Sequence, residues 1–266
     1  MIVGSLAKTI IVRVISPILV LVRKIYKYKI CLMRTDRLGH LALNTHLFFI
    51  RHKKDLIENL NYYLIAPSIN SSNVVNKDLL LLHIEYSKKL HNVRIISSSA
   101  LHFFFHYSIA LFSGKDFFSC LELKSRESEF SLAEQTVSFT QKQKSIGNET
   151  LLQMGITKND KLVSIYTRDS AFLENFDSQR DWSYHNYRDT DINAYLKAIK
   201  YLIQEGYTVI RIGSEYSKSL GFINDKYIEY NLSEYKSSFM DLYLPYVSSF
   251  IIGCKSGATD LSLLFN

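Results

Sequence analysis

Between Lys161 and Ser214 the order of apolar and polar residues leaves little choice of fold. A short apolar run, Lys161 to Tyr166, breaks into a polar loop that begins Thr167-Arg168-Asp169-Ser170. An apolar-periodic segment follows from Ile192 to Gly206, and a second apolar run from Thr208 to Ser214. Strand, loop, helix and strand in that order make a βαβ unit with its two strands parallel. In such units ligands bind just beyond the carboxyl ends of the strands. Arg168 and Asp169 lie beyond the first of these strands, and Gly213 and Ser214 end the second, so this is where a site is expected.

The same alternation runs through the rest of the chain. Strands are predicted at Lys29–Arg34, Tyr62–Ala66, Val93–Ser97, Tyr227–Tyr230 and Ser249–Cys254. Helices are predicted at Leu41–Leu56, Lys77–Leu90, Leu101–Phe112, Phe139–Met154 and Ser238–Tyr246. Alternation at this spacing points to an α/β fold with parallel sheets covered on both faces. The 266 residues, 47% of them hydrophobic, suffice for two cores. We divide the chain into a basic segment (1–28), a first Rossmann-like domain (29–146) and a second (147–266). Residues 115–146 read as an interdomain connection. The chain reaches Asn266 one turn into an apolar helix start, so the second sheet reads as truncated, with Leu261, Leu263, Leu264 and Phe265 lacking a covering element.

Net charge is +7, but Lys8, Arg13, Arg23, Lys24, Lys27 and Lys29 lie in the first 29 residues without one acidic residue. That leaves +1 for the remainder, which argues against a nucleic-acid partner, since such proteins carry basic stripes on the folded domain. Thr9 to Val22 is apolar apart from Arg13, but it is shorter than the roughly 20 residues of a membrane span, and Pro17 interrupts it. No signal-peptide cleavage pattern follows. Two alternatives remain: a basic interfacial segment on an anionic cytoplasmic leaflet, or a first helix packed on the domain with its lysines solvated. Cys31, Cys120 and Cys254 have neither metal nor disulfide spacing, which fits a reducing compartment.

Several residues could carry chemistry. Ser256-Gly257-Ala258-Thr259 follows a predicted strand and opens a helix, an arrangement able to hold a phosphate, although a simple helix cap uses the same residues. The Lys of a P-loop is missing. Arg168 could clamp a phosphate through two N–H groups. Asp169 could hold that arginine or a ribose hydroxyl, or serve only as a turn residue. Arg211 shares a strand face with Val209 and Gly213, and either joins the site or pairs with an acid at the sheet edge. Asp189-Thr190-Asp191 is formally a metal-binding D-x-D, but a helix follows it, which favours an N-cap at Thr190 or Asp191. Beyond the first strand, Asp36 and His40 flank Gly39; either could take a proton from a hydroxyl, although a lone histidine at a helix start is commonly structural. His46, His52 and Phe103–Phe105 read as surface or core. No metal cluster or cofactor fingerprint stands out.

Five groups of residues occur in this order: Arg34, Arg37, Leu38, Gly39 and His40; Arg168-Asp169-Ser170; Tyr187-Arg188 with Asp191, Ile192 and Tyr195; Gly206-Tyr207 with Val209, Ile210, Arg211 and Gly213; Phe250-Ile251 with Gly253, Ser256 and Gly257. On these residues the chain resembles a family of bacterial glycosyltransferase-like proteins found among surface-polysaccharide genes. More distantly, Arg168 resembles the phosphate-binding arginine of fucosyltransferases. The Arg37–His40 segment resembles the acceptor loop of heptosyltransferases, with His40 where those carry an aspartate. The resemblance implies a GT-B architecture: two Rossmann-like domains, acceptor on the first, nucleotide sugar on the second. It implies metal-independent transfer, without a cofactor, from a nucleotide-diphosphate sugar to a hydroxyl of a cell-surface glycan or lipid-linked acceptor; the basic first segment adds a cytoplasmic place, peripheral on the inner face of the cell membrane. His40 and Asp36 then take the catalytic role. Arg168, Asp169, Arg188, Arg211, Gly213, Ser256, Gly257 and Thr259 take the nucleotide sugar. A nucleotide-sugar epimerase and a truncated, non-catalytic carbohydrate-binding remnant are the alternatives.

Overall fold

The computed structural model describes residues 13–15, 17–19, 21–22, 25–54, 57, 59–111, 118–120, 129, 135–168, 179, 181, 183–213 and 218–265. It divides into two compact units, Met1–Val137 and Ser138–Asn266. The helix predicted at Phe139–Met154, here α4 (Gln141–Gln153), belongs to the second unit.

The first unit runs β1 (Tyr28–Leu32), α1 (Thr45–Lys53), β2 (Asn61–Ala66), α2 (Lys77–Ser87), β3 (Val93–Ser97), α3 (Ser99–Leu111) and β4 (Phe118–Cys120). Its sheet has the order β3-β2-β1-β4, every pair parallel. Alternation decides which face each side chain covers. Tyr28, Ile30 and Leu32 share one face of β1 and pack with Ile65 of β2 and Phe105 of α3. On the other face Phe48 of α1 meets Tyr62 edge-on. Helices therefore cover both faces, as a parallel sheet requires. The strand β4 lies inside the stretch expected to be an interdomain connection, and it completes the sheet beside β1. Its three residues are too short for periodicity to reveal.

The described residues from 13 to 26 are helical, and Leu19 and Val22 pack against the β1 cluster. The Tyr28 hydroxyl donates to the Leu19 carbonyl at 2.7 Å, which pins this segment to the sheet. The inner side is thus the packed helix of the second alternative. Among the described residues no helix is long and apolar enough to cross a membrane.

The second unit continues after α4 with β5 (Lys161–Tyr166), α5 (Leu196–Gln204), β6 (Tyr207–Ile212), β7 (Tyr227–Ile228), α6 (Met240–Val247) and β8 (Phe250–Gly253). Its order is β7-β6-β5-β8, again all parallel. Val163, Ile165 and Val209 pack under Ile199 and Leu202 of α5. Phe139, Phe239, Tyr243, Tyr246 and Phe265 form an aromatic cluster. The expectation of uncovered apolar residues after Asp260 is corrected here. Leu261 and Leu264 are buried, and Phe265 stacks on Phe139 at 5.7 Å.

Candidate functional site

Both sheets repeat one topology: within each unit, in sequence order, the third, second, first and fourth strands lie side by side. The chain leaves the first strand toward one side and later returns to its other side. The loops that follow the first and fourth strands diverge there and open a crevice. In the second unit that switch point lies between β5 and β8, where Tyr166 is in register with Gly253.

Two glycines make the three strand ends close-packed. Gly213 has φ of +132°, a backbone conformation that side chains rarely adopt. At Gly253 an added Cβ would lie 2.3 Å from the Tyr166 carbonyl oxygen. The backbones of β5 and β8 can therefore approach only while position 253 lacks a side chain.

Arg168 emerges two residues past β5 and is buried. Its Nη1 donates to Asp189 Oδ1 at 3.1 Å, and its carbonyl accepts from the Thr190 N–H at 2.8 Å. The loop after Arg188 is thus strapped along Arg168 by both side chain and backbone. Asp191 caps the next turn, accepting from the Asn193 N–H at 2.9 Å. The D-x-D residues are so divided between an ion pair and a cap. Among the described residues, no group of three His, Cys, Asp or Glu side chains could hold a metal ion. Arg188 places its guanidinium over the Tyr187 ring, 5.3 Å from the centroid. Asp169 lies outside the described residues, as do Ser170 and Ser214.

Past β8 come Cys254, exposed Lys255, Ser256 and Gly257. Ser256 Oγ accepts from the Ala258 and Thr259 N–H groups, while Thr259 Oγ1 accepts from the Ser256 N–H at 3.0 Å. This reciprocal capping box satisfies those donors internally. The helical turn it caps, Gly257–Asp260, is four residues long. Burial raises the pKa of Asp260, with Lys255 pulling the other way.

Arg211 is buried inside the unit. Its Nη1 donates to Glu229 Oε1 at 2.9 Å and to the Lys218 carbonyl, and its Nη2 reaches Thr167 Oγ1 at 3.5 Å. Burial works to raise the Glu229 pKa, but bonds from the Leu220 N–H, Ser219 and Arg211 outweigh it and hold the carboxyl low. Of the two alternatives for Arg211, the acid at the sheet edge is its observed partner. The arginine braces the loop that starts at Thr167.

In the first unit the switch point lies between β1 and β4. The chain continues past β1 with the Met33 N–H bonded to the Ile65 carbonyl at 2.9 Å. Thr35 ties this loop to the one after β2, donating from Oγ1 to the Asn73 carbonyl at 2.7 Å. Asp36 lies 3.9 Å from both the Arg34 and Arg37 guanidinium groups. His40 follows Gly39 and opens a π-helical stretch, His40–Asn44, that runs directly into α1. Such stretches are frequent at functional sites. Burial lowers the His40 pKa and the Arg34 charge lowers it further, so the ring is neutral near pH 7 and able to accept a proton.

Sequence reasoning gave no role to Lys255 or His102, and read Asp189 only as part of a formal D-x-D rather than as the partner of Arg168. His102, in α3, hydrogen-bonds the Met33 backbone, while burial lowers its pKa. Its signal was its place in the first turn after β3, visible only once the strand order is known. His46 and His83 are core residues; His46 Nδ1 lies 2.5 Å from Thr136 Oγ1.

Neither a family model nor a curated protein matches the chain. One solved structure, described as that of E. coli ADP-heptose lps heptosyltransferase II, aligns over 90% of this chain and 82% of its own. The TM-score is 0.47 and the sequence identity 14%.

Proposed function

We propose that this chain is a glycosyltransferase that moves a sugar from a nucleotide-diphosphate donor to a hydroxyl of a cell-surface glycan or lipid-linked acceptor, without a metal. The observation that carries the proposal is Arg168, pinned by Asp189 at the switch point of the second sheet. Transfer needs positive charge where a diphosphate leaving group gains negative charge, and a base for the hydroxyl proton. Arg168 and nearby Lys255 supply the first. Neutral His40, with Asp36 as its rival, supplies the second. In the reaction the acceptor oxygen bonds to the anomeric carbon, its proton passes to the base, and the bond to the diphosphate oxygen breaks. Arg188, Gly213, Ser256, Gly257 and Thr259 border the donor side, and Arg211 holds its loop.

The test is incubation of the full chain with a panel of nucleotide sugars, with and without glycan acceptors. Nucleoside diphosphate released only with acceptor supports transfer. Sugar interconversion without acceptor would make the protein an epimerase. Absence of both, with carbohydrate still bound, would make it a binding protein.

A further inference from the structure

The described helical residues between 13 and 26 carry a row of exposed apolar side chains beside the partly buried Leu19 and Val22. Val14, Ile18, Leu21 and Ile25 recur at intervals of four, three and four residues, which places them within about 60° of one another around a helix. All four are exposed, from 54% at Ile18 to 72% at Ile25. Leu19 and Val22 point elsewhere, into the β1 cluster. The same cluster takes Phe104 and Phe105 of α3, whose Phe103 and Tyr107 stack on each other and are exposed. Ile15 and Tyr26 are exposed as well, on the side of Leu19 and Val22 rather than on the row itself.

A soluble monomer seldom leaves so continuous an apolar row in water. Its charge surroundings identify what fits. From Arg13 to Lys29 the sequence holds five Lys or Arg and no Asp or Glu, and both Arg13 and Lys27 are exposed. An apolar row in a segment whose only charges are basic matches a bilayer interface whose headgroups are anionic. A protein partner of mixed charge would not call for one sign only.

We infer that this stripe is a docking surface for an anionic lipid bilayer, on which the first unit lies without spanning it. Leu19, Val22 and the Tyr28–Leu19 bond hold the segment to the sheet while its exposed row enters the headgroup layer. Docking of this kind needs nothing from the transfer chemistry, so the two ideas fail separately.

Sedimentation of the full chain with vesicles tests it, using phosphatidylcholine alone and phosphatidylcholine mixed with phosphatidylglycerol. Binding is expected on the mixed vesicles only. It should weaken severalfold as salt rises from about 0.1 M to 1 M and the screening length falls from about 10 to 3 Å. Ile18→Asp with Leu21→Asp, and separately Ile25→Asp, should each reduce binding at least tenfold with unchanged melting temperature, because these side chains are exposed. Arg13→Glu with Lys27→Glu should remove the preference for phosphatidylglycerol. Wild-type protein that ignores both vesicles overturns the inference. So do stripe variants that bind as well as wild type, or that change the oligomeric state or melting temperature instead, for the stripe would then be a protein contact.

Discussion

Arg168 and Asp189, twenty-one residues apart, meet as a 3.1 Å ion pair at the carboxyl edge of the second sheet. The pair is mostly shielded from solvent, so it orients the guanidinium more firmly than an exposed pair would. Arg168→Ala is expected to weaken nucleoside diphosphate binding by about 1.5–3 kcal/mol, roughly tenfold to more than a hundredfold. Arg168→Lys should recover only part of this, because an ammonium cannot form the bidentate fork. Asp189→Asn should weaken binding less than Arg168→Ala, since it loosens the guanidinium without removing it. Calorimetry on variants shown to melt cooperatively checks all three; unchanged affinity in Arg168→Ala removes the donor site.

His40 is the candidate base, and its effect belongs in turnover. His40→Ala should lower kcat on the order of a hundredfold with little change in donor KM. Its pKa in the folded chain lies below the ordinary 6.5 of histidine, so turnover should be level above about pH 6.5 and fall only in more acid solution. Full turnover in His40→Ala would move the role to Asp36 or to the substrate.

Two core histidines make stability depend on acidity. Burial lowers the His46 pKa to about 4. Burial, with His46 nearby, lowers that of His83 to about 3. Both lie below the 6.5 of the unfolded chain, so the unfolded state takes up protons first and stability falls as pH drops from 6.5 toward 4. The loss is about 1.4 kcal/mol per histidine at pH 5.5. Thermal melts at pH 7.5 and 5.5 should show the difference, and His83→Leu should reduce it. An equal fall in His83→Leu would place the acid sensitivity elsewhere.

At Gly253 the predicted effect is steric. A Cβ there would lie 2.3 Å from a backbone oxygen, which cannot swing aside as a side chain could. Gly253→Ala should cost about 1–3 kcal/mol or more, and should weaken donor binding by parting β5 from β8. A melting temperature equal to wild type would show that the strands tolerate the separation.

The βαβ unit was legible in the sequence because its determinants are local. Lys161–Tyr166 is a strand with the boundaries expected, and Val93–Ser97 likewise. Asp191 caps its turn as its position before an apolar-periodic run implied. Strand alternation and capping act over a few residues, so a linear reading reaches them.

What only the tertiary structure decided involves residues far apart in the chain. Phe118–Cys120 is a strand because β1 offers it an edge, not because three residues prefer one. Leu261 and Leu264 are buried, and Phe265 stacks on Phe139, which lies far from it in the sequence. Arg168 finds Asp189, twenty-one residues on, and Arg211 finds Glu229. Ion pairs and side-chain cover depend on which surfaces the strand order brings together, and that order is a property of the whole sheet.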